Sequence, residues 1–216
     1  MASFGWTVIP SHFTVPSTSK SLPSVLRFFD LELFLKEHPG EFDRIAITDF
    51  RDVAWFADGF ACLDPEELFV NKECTGNPPR CNKYKITNTA NSRWIAHCYG
   101  LELRNHYAEM NREVLNVGFV FANITNMMKY LDVYISTVKE KDKKLWDYWG
   151  MDQSTLNYIY YEGKLKNIKI TINDISQKMA FGYNYFASRY DSERKIVLEM
   201  DSDCSPVIRH KMKGYL

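Results

Sequence analysis

Apolar residues recur at helical spacing in two segments of the chain, which is typical of helices that bury one face. The first segment covers residues 23–37, where a proline suits the first helical turn. The second covers residues 126–139, and its apolar stripe consists of Met127, Leu131, Tyr134, Ile135 and Val138. Two further helices are predicted over 91–110 and 151–163.

Short apolar runs between these helices predict strands. The clearest are "RIAIT" at 44–48 and the glycine-interrupted "EVLNVGFVFANI" at 113–124. Further strands are expected at "GWTVI" (5–9), "LFVNKEC" (68–74), "NIKITIN" (167–173) and "RKIVLEM" (194–200). A short helix is expected to start in "DPEEL" (64–68), and 75–90 is predicted to be a polar loop. Strands that alternate with helices predict a layered α/β domain with a mostly parallel sheet.

Composition narrows the class of protein. The chain has 216 residues, of which 45% are hydrophobic, so it is long enough for one domain with a large core. Its 27 basic and 27 acidic residues cancel. Because polyanion binding needs a basic excess, nucleic acid is not an expected partner. The basic run "KEKDKK" (139–144) is interpreted as a solvated helix end or loop.

No apolar run is long enough for a membrane segment, and the N-terminus lacks the features of a signal peptide. A soluble chain is therefore expected, either a whole protein or an excised domain, with compartment and oligomeric state left open. The cysteines are 62, 74, 81, 98 and 204. Their odd number and irregular spacing favour free thiols over a disulfide framework or a zinc site, although a disulfide between Cys74 and Cys81 would close a turn-rich loop.

The segment "RIAITDFRD" places Asp49 and Asp52 directly after a predicted buried strand. Ligand crevices of open α/β sheets lie at such strand ends. Two carboxylates there suit Mg²⁺ or Mn²⁺ bridging to a diphosphate. One alternative is an ion pair with Arg51. Another is a phosphatase nucleophile, which is disfavoured because Arg51 occupies the position where that motif needs a second aspartate.

Four segments resemble GT-A-type glycosyltransferases, in the order that the family has them. "TDFRDVAWFADGF" (48–60) is similar to the acidic motif of the group, with a departure at Gly59, where the pattern has proline. "LNVGFVFANI" resembles its Asn-x-Gly strand, and "MDQSTLNYI" the "DQxxLN" helix start of glycogenin-like enzymes. "PVIRHKMKG" is similar to the terminal segment that supplies a histidine ligand and a lysine. The resemblance covers about residues 25–214.

The resemblance implies a GT-A (Rossmann-like) three-layer fold with a mostly parallel central sheet flanked by helices, in one domain over 1–216. It implies transfer of a sugar from a nucleotide-diphosphate sugar, such as a UDP- or GDP-sugar, to a glycan or protein acceptor. The metal, Mn²⁺ or Mg²⁺, would be held by Asp49, Asp52 and His210. The donor would be bound by Asp49, Arg27, Asn116, Gly118, Gln153, Lys211 and Lys213, and Asp152 would be catalytic.

Several of these residues have simpler interpretations. Asp152 is also a suitable helix cap, and Gly118 also permits close packing between strand and helix. An arginine such as Arg27 is by default exposed. The aromatic run "WDYWG" (146–150) fits either a sugar-stacking acceptor wall or a helix seam. Only 48 residues precede Asp49, which indicates either a reduced base site or a missing part of the nucleotide-binding unit. The alternative function is a non-catalytic relative that binds a sugar or a partner.

Overall fold

The structure of the chain is a computed structural model. It describes residues 7–49, 53–55, 60, 64, 66–73, 85–88, 90–173, 188–199 and 208–210.

Six helices occur among these residues. They are α1 Leu22–Glu37, α2 Ala90–Tyr99, α3 Leu101–Glu109, α4 Ile124–Lys139, α5 Lys143–Trp146 and α6 Met151–Tyr161. The helices predicted at 23–37, 126–139 and 151–163 are confirmed. The single helix predicted over 91–110 is instead two helices, because Gly100 has φ 100° and ψ 155°, a conformation essentially restricted to glycine.

Eight strands occur in the described part of the chain. They are β1 Arg44–Thr48, β2 Val53–Trp55, β3 Leu68–Lys72, β4 Leu115–Asn123, β5 Ile170–Asn173, β6 Ser188–Asp191, β7 Ile196–Glu199 and β8 Ile208–His210. The strands predicted at 44–48, 68–74, 113–124, 167–173 and 194–200 are confirmed.

Two element predictions are wrong where the structure describes them. Residues 7–9 of the predicted strand at 5–9 are not in a strand, and Glu66 and Glu67 of "DPEEL" lie in a turn rather than a helix. In the predicted loop at 75–90, Ile86–Asn88 form one turn of 3₁₀ helix, while 75–84 lie outside the described residues. Segments as short as these carry too little periodicity to distinguish these outcomes.

The main sheet has four strands in the order β1-β4-β3-β5. β4 pairs with β1 and β3 in antiparallel fashion, and β3 pairs with β5 in parallel. The domain is therefore α/β, but the expected mostly parallel sheet is not what the described residues form. Strands without polar alternation are typical of parallel sheets. β4 is indeed buried at eight of its nine positions, but the cause is that both of its faces are covered.

The two faces of β4 meet different elements. On one face, Leu115, Val117, Val120 and Ala122 pack in the main core with α1, α4 and α6. Phe119 and Phe121 point to the other face and form a small cluster with Phe69. There the Trp55 ring of β2 lies 5.4 Å from the Phe121 ring. β4 is thus the central strand against which the site is built.

Side-chain caps fix the ends of two of the packed helices. The Asn123 side chain accepts a hydrogen bond from the Asn126 backbone N–H at 2.8 Å and caps α4. The start of α1 is held by a distant residue, Asp147, whose Oδ1 accepts from the backbone N–H groups of Ser21 and Leu22, each at 2.8 Å. A carboxylate at a helix N-terminus also interacts favourably with the helix dipole.

Within the described ranges, no helix combines the length and the hydropathy needed to cross a bilayer. Cys98 on α2 is buried and free, and burial raises the pKa of its thiol to about 12. The other four cysteines, including the Cys74–Cys81 pair, lie outside the described residues.

Candidate functional site

The antiparallel pairing of β1 with β4 brings the first site residue to the Asn-x-Gly segment. Thr48 at the end of β1 pairs with Phe119. The next backbone N–H, that of Asp49, donates to the carbonyl of Gly118 at 2.9 Å. The acidic strand end and the glycine strand are therefore direct neighbours, although about seventy positions separate them in sequence.

The first turn of α6 completes the site. A cavity of about 170 Å³ lies between α1, β4 and this turn. It is lined by Ser24, Asp49, Glu73, Trp94, Asn116, Val117, Gly118, Trp149, Gly150, Asp152 and Gln153. Five of the residues nominated from the sequence, which are Asp49, Asn116, Gly118, Asp152 and Gln153, thus lie around one space.

Arg27 joins the two aspartates of this cavity. Its Nη1 donates to Oδ1 of Asp49 at 2.7 Å, and its Nη2 lies 3.4 Å from Oδ2 of Asp152. Burial alone would lower the pKa of Arg27, but the charges of Asp152 and Asp49 outweigh it, and the pKa lies above its ordinary value. The simple interpretation of Arg27 as an exposed residue is therefore wrong, because its guanidinium is part of the site.

Asp152 is the more deeply buried of the two carboxylates, with 13% of its side chain exposed against 30% for Asp49. Burial raises the pKa of Asp152, while Arg27 and the backbone N–H of Gln153 oppose the rise. A carboxyl group whose pKa is shifted toward neutrality is better suited to accept a proton than an ordinary aspartate. Because Asp152 lies inside α6 and Gly150 precedes the helix, Asp152 is not the N-cap.

Gln153 is committed to protein contacts. Its Nε2 donates to Oε2 of Glu73 and, at 2.7 Å, to Oδ1 of Asn91. Its Oε1 accepts from the backbone N–H of Val117 at 3.4 Å. All of these residues except Val117 are polar and buried. The amide therefore holds α6 against α2 and β4, while the residue still borders the cavity.

Glu73 is a site residue that no sequence motif indicated. Its side chain is buried, and it stands directly after β3, just as Asp49 stands directly after β1. The same signal, an acid that follows an apolar strand, would have identified it in "LFVNKEC". With Glu73, the described residues that line the cavity include three carboxylates and no basic side chain.

Asn116 and Gly118 shape the strand beside the cavity. Oδ1 of Asn116 accepts from the backbone N–H of Gly118 at 2.8 Å. The ladder between β3 and β4 shifts register between Val70 and Asn71, and Asn116 is the partner of Asn71 beyond the shift. Irregularities of this kind are frequent next to functional sites, because they redirect side chains.

The three aromatic side chains of "WDYWG" (146–150) have different surroundings. The Trp146 Nε1 donates to the carbonyl of Val138 at 3.1 Å, so this ring belongs to the helix seam. The Tyr148 ring stacks on His97 with centroids 3.8 Å apart. Trp149 alone of the three lines the cavity, and 65% of its surface is exposed.

The predicted metal ligands are described only in part. β8 pairs with β2, and the backbone of His210 lies opposite Val53, the residue that follows Asp52. The structure does not describe Asp52, the side chain of His210, Lys211 or Lys213. Within the part that is described, no group of three or more His, Cys, Asp or Glu side chains is arranged to hold a metal ion.

No protein-family model matches the chain, and no curated protein matches its sequence significantly.

Proposed function

We propose that the chain is a metal-dependent glycosyltransferase of GT-A type, which transfers a sugar from a nucleotide-diphosphate sugar to an acceptor. One observation carries the proposal. Residues nominated by three separate motifs, including Asp49, Gly118 and Asp152, line a single cavity. Packing of β1 and α6 against β4 brings these elements together, and nominated residues from all three face the same space, which supports a shared site.

The charge of the cavity supports a dication. Asp49, Glu73 and Asp152 contribute three carboxylates, and Arg27 contributes one guanidinium to two of them. A diphosphate approaching this acidic surface would be repelled unless positive charge is added. Carboxylate and imidazole ligands suit Mn²⁺ and also accept Mg²⁺.

Asp52 and His210 would hold the metal, because the β2–β8 ladder pairs His210 with Val53, the residue next to Asp52 in sequence. Asp49 would serve less as a ligand than as a contact to the donor, since Arg27 already occupies its Oδ1. When bound, the metal would neutralise the charge that develops on the diphosphate leaving group. Lys211 and Lys213 would add positive charge to the same phosphates.

The remaining residues would position the donor sugar and handle the proton. Asn116 offers an amide side chain beside the cavity, and Gly118 lines it without a side chain. Asp152 would accept a proton from the acceptor hydroxyl or bind the donor sugar, and its raised pKa suits the first role. Arg27 would hold the two aspartates in position through its two ion pairs.

The proposal is tested by thermal shift and calorimetry on the full chain, titrated with Mn²⁺ in the presence of UDP or GDP. We expect nucleotide binding that depends on the metal, and its loss in Asp52→Ala. Asp132→Ala, which alters an exposed acid on α4, is the matched control and should bind as the wild type does. Binding without metal, or unchanged binding in Asp52→Ala, would contradict the proposal.

A non-catalytic sugar- or partner-binding protein is the second candidate. It is favoured by the ion pairs of Arg27, which already engage both of the aspartates on which catalysis would depend. An assay of nucleotide-sugar hydrolysis with Mn²⁺ and no acceptor separates the two functions. A transferase should slowly release nucleotide diphosphate under these conditions, whereas a binding protein should release none.

A further inference from the structure

Trp149 is a large apolar side chain left in solvent at the edge of a polar cavity. With 65% of its surface exposed, it is among the most exposed large hydrophobic residues that the structure describes. Its position directly before Gly150 and α6 keeps it close to Asp152. Tryptophan is enriched at interfaces, and because this ring borders a cavity it is available to contact a ligand.

A second indole, that of Trp94, lines the same cavity. Gly150 has φ 87°, and a Cβ atom built on it would lie 2.2 Å from Cδ2 of Trp94. The Trp94 ring therefore packs directly over the glycine backbone, at a distance that no other residue type permits. Trp94 and Trp149 both line the cavity.

Polar atoms complete the surroundings of the two rings. The carboxylates of Asp49, Asp152 and Glu73 and the amide of Asn116 lie around the same cavity. A pyranose ring presents C–H groups on its face and hydroxyls on its rim. Indole rings can pack against the face, and carboxylates form strong charge-assisted hydrogen bonds with the hydroxyls.

We propose that Trp149 forms the stacking wall of an acceptor subsite, so that the acceptor is a glycan that presents a sugar ring. A cavity of about 170 Å³ is smaller than the roughly 300–1,000 Å³ of pockets for drug-sized ligands, so it accommodates one sugar unit at a time. The donor sugar would occupy the cavity, and the acceptor sugar would stack on its exposed edge at Trp149. The acceptor role rests on the proposed function, whereas stacking of a sugar does not.

The test uses ligand-observed saturation-transfer NMR on the full chain. The probes are methyl glycosides of glucose, galactose, mannose and N-acetylglucosamine, together with lactose and cellobiose. The variants are Trp149→Ala, Trp149→Phe and, as a matched control, Tyr190→Ala, which removes another exposed aromatic ring, of 61% exposure, from β6. Thermal denaturation verifies that each variant is folded.

We expect at least one glycan to bind with its C–H face in closest contact. Trp149→Ala should weaken that binding about tenfold, which corresponds to about 1.4 kcal/mol. Trp149→Phe should retain most of the affinity, because it keeps an aromatic face, and Tyr190→Ala should not change it.

The outcomes separate this inference from the proposed function. Suppose that nucleotide binds in an Mn²⁺-dependent manner. If no glycan binds, or if glycans bind equally well to Trp149→Ala, the stacking-wall inference is wrong and the proposed transferase function stands. If glycans bind through Trp149 while no nucleotide binds with or without Mn²⁺, the wall stands and the transferase is wrong. If neither ligand class binds, both are overturned.

Discussion

At the scale of single residues, the burial of Asp152 that suits it to accept a proton also makes its charged form costly to the stability of the protein. Its carboxyl group is buried beside one guanidinium, and burial raises its pKa above that of an ordinary aspartate. The native state therefore binds this proton more tightly than the unfolded state does. Asp152 therefore stabilises the native state fully at pH values below its pKa in the unfolded chain. This stabilisation is lost as the pH rises through its higher pKa in the native state.

Asp152→Asn should therefore raise the melting temperature at pH 7 by a few degrees, because it removes a buried charge and keeps the shape of the side chain. Its Oδ1 still accepts from the Gln153 backbone N–H, as it does at 2.8 Å in the native chain. The gain should shrink as the pH falls below the raised pKa of Asp152, where the wild-type carboxyl is itself neutral. Differential scanning calorimetry between pH 4 and pH 8 measures this difference.

The same substitution should lower sugar transfer by about 10²–10⁴-fold if Asp152 is the general base. Asp132→Asn, at an exposed position of α4, controls for the loss of one negative charge. If Asp152→Asn melts lower than the wild type at every pH, the ion pair with Arg27 outweighs the cost of burial, and the expected gain in stability is wrong.

The residues of the site divide by the kind of signal that identifies them. Asp49 and Asp152 follow from local patterns, an acid after an apolar strand and an acid at a helix start. Glu73 carries the first of these signals, but no motif accompanies it. The role of Gln153 depends on Glu73 and Asn91, which are 80 and 62 positions away, and no local pattern indicates such contacts.

At the scale of elements, the start of α6 depends on one glycine. Gly150 has a left-handed backbone conformation and lies directly under the Trp94 ring. Gly150→Ala should destabilise the protein by about 2–4 kcal/mol, since it adds backbone strain to a steric overlap with Cδ2, Cε3 and Cγ of the Trp94 ring. Chemical denaturation of the purified variant measures the free energy of unfolding.

Gly163 provides the matched comparison. It lies just after α6 with φ 64°, and a Cβ atom there would meet nothing within 4 Å. Gly163→Ala therefore adds the backbone strain alone and should cost about 1–2 kcal/mol. Equal losses in the two variants would show that the contact with Trp94 contributes nothing to the placement of α6.

Helices and buried strands were predictable because their patterns are local. The stripe at 126–139 lies within α4 itself, and the run at 44–48 has the same bounds as β1. β2 has three residues and β6 has four, too few for a period to emerge. Strand direction was not predictable either, because β4 is covered on both faces and has the apolar pattern of a strand in a parallel sheet.

At the scale of the whole molecule, one short ladder joins the early and the late parts of the chain. β2 and β8 pair over three residues, and Val53 lies opposite His210. Neither strand belongs to the four-stranded sheet. The ladder therefore contributes little to the main core, but it brings the backbone of one predicted metal ligand to the residue that follows another.

Deletion of residues 207–216 should consequently separate binding from folding. Loss of β8 removes a three-residue ladder, which costs about 1–3 kcal/mol at about 1 kcal/mol per hydrogen bond, while the four-stranded sheet and its packed helices remain. We expect cooperative unfolding with a modestly lower melting temperature in circular dichroism, and loss of the Mn²⁺-dependent stabilisation by nucleotide. His210→Ala is the comparison, because it keeps the backbone ladder and removes only the imidazole. If His210→Ala alone abolishes the metal-dependent shift, the imidazole is the ligand. If the truncated chain still shows that shift, residues 207–216 take no part in the site, and a metal held between distant parts of this sequence is ruled out.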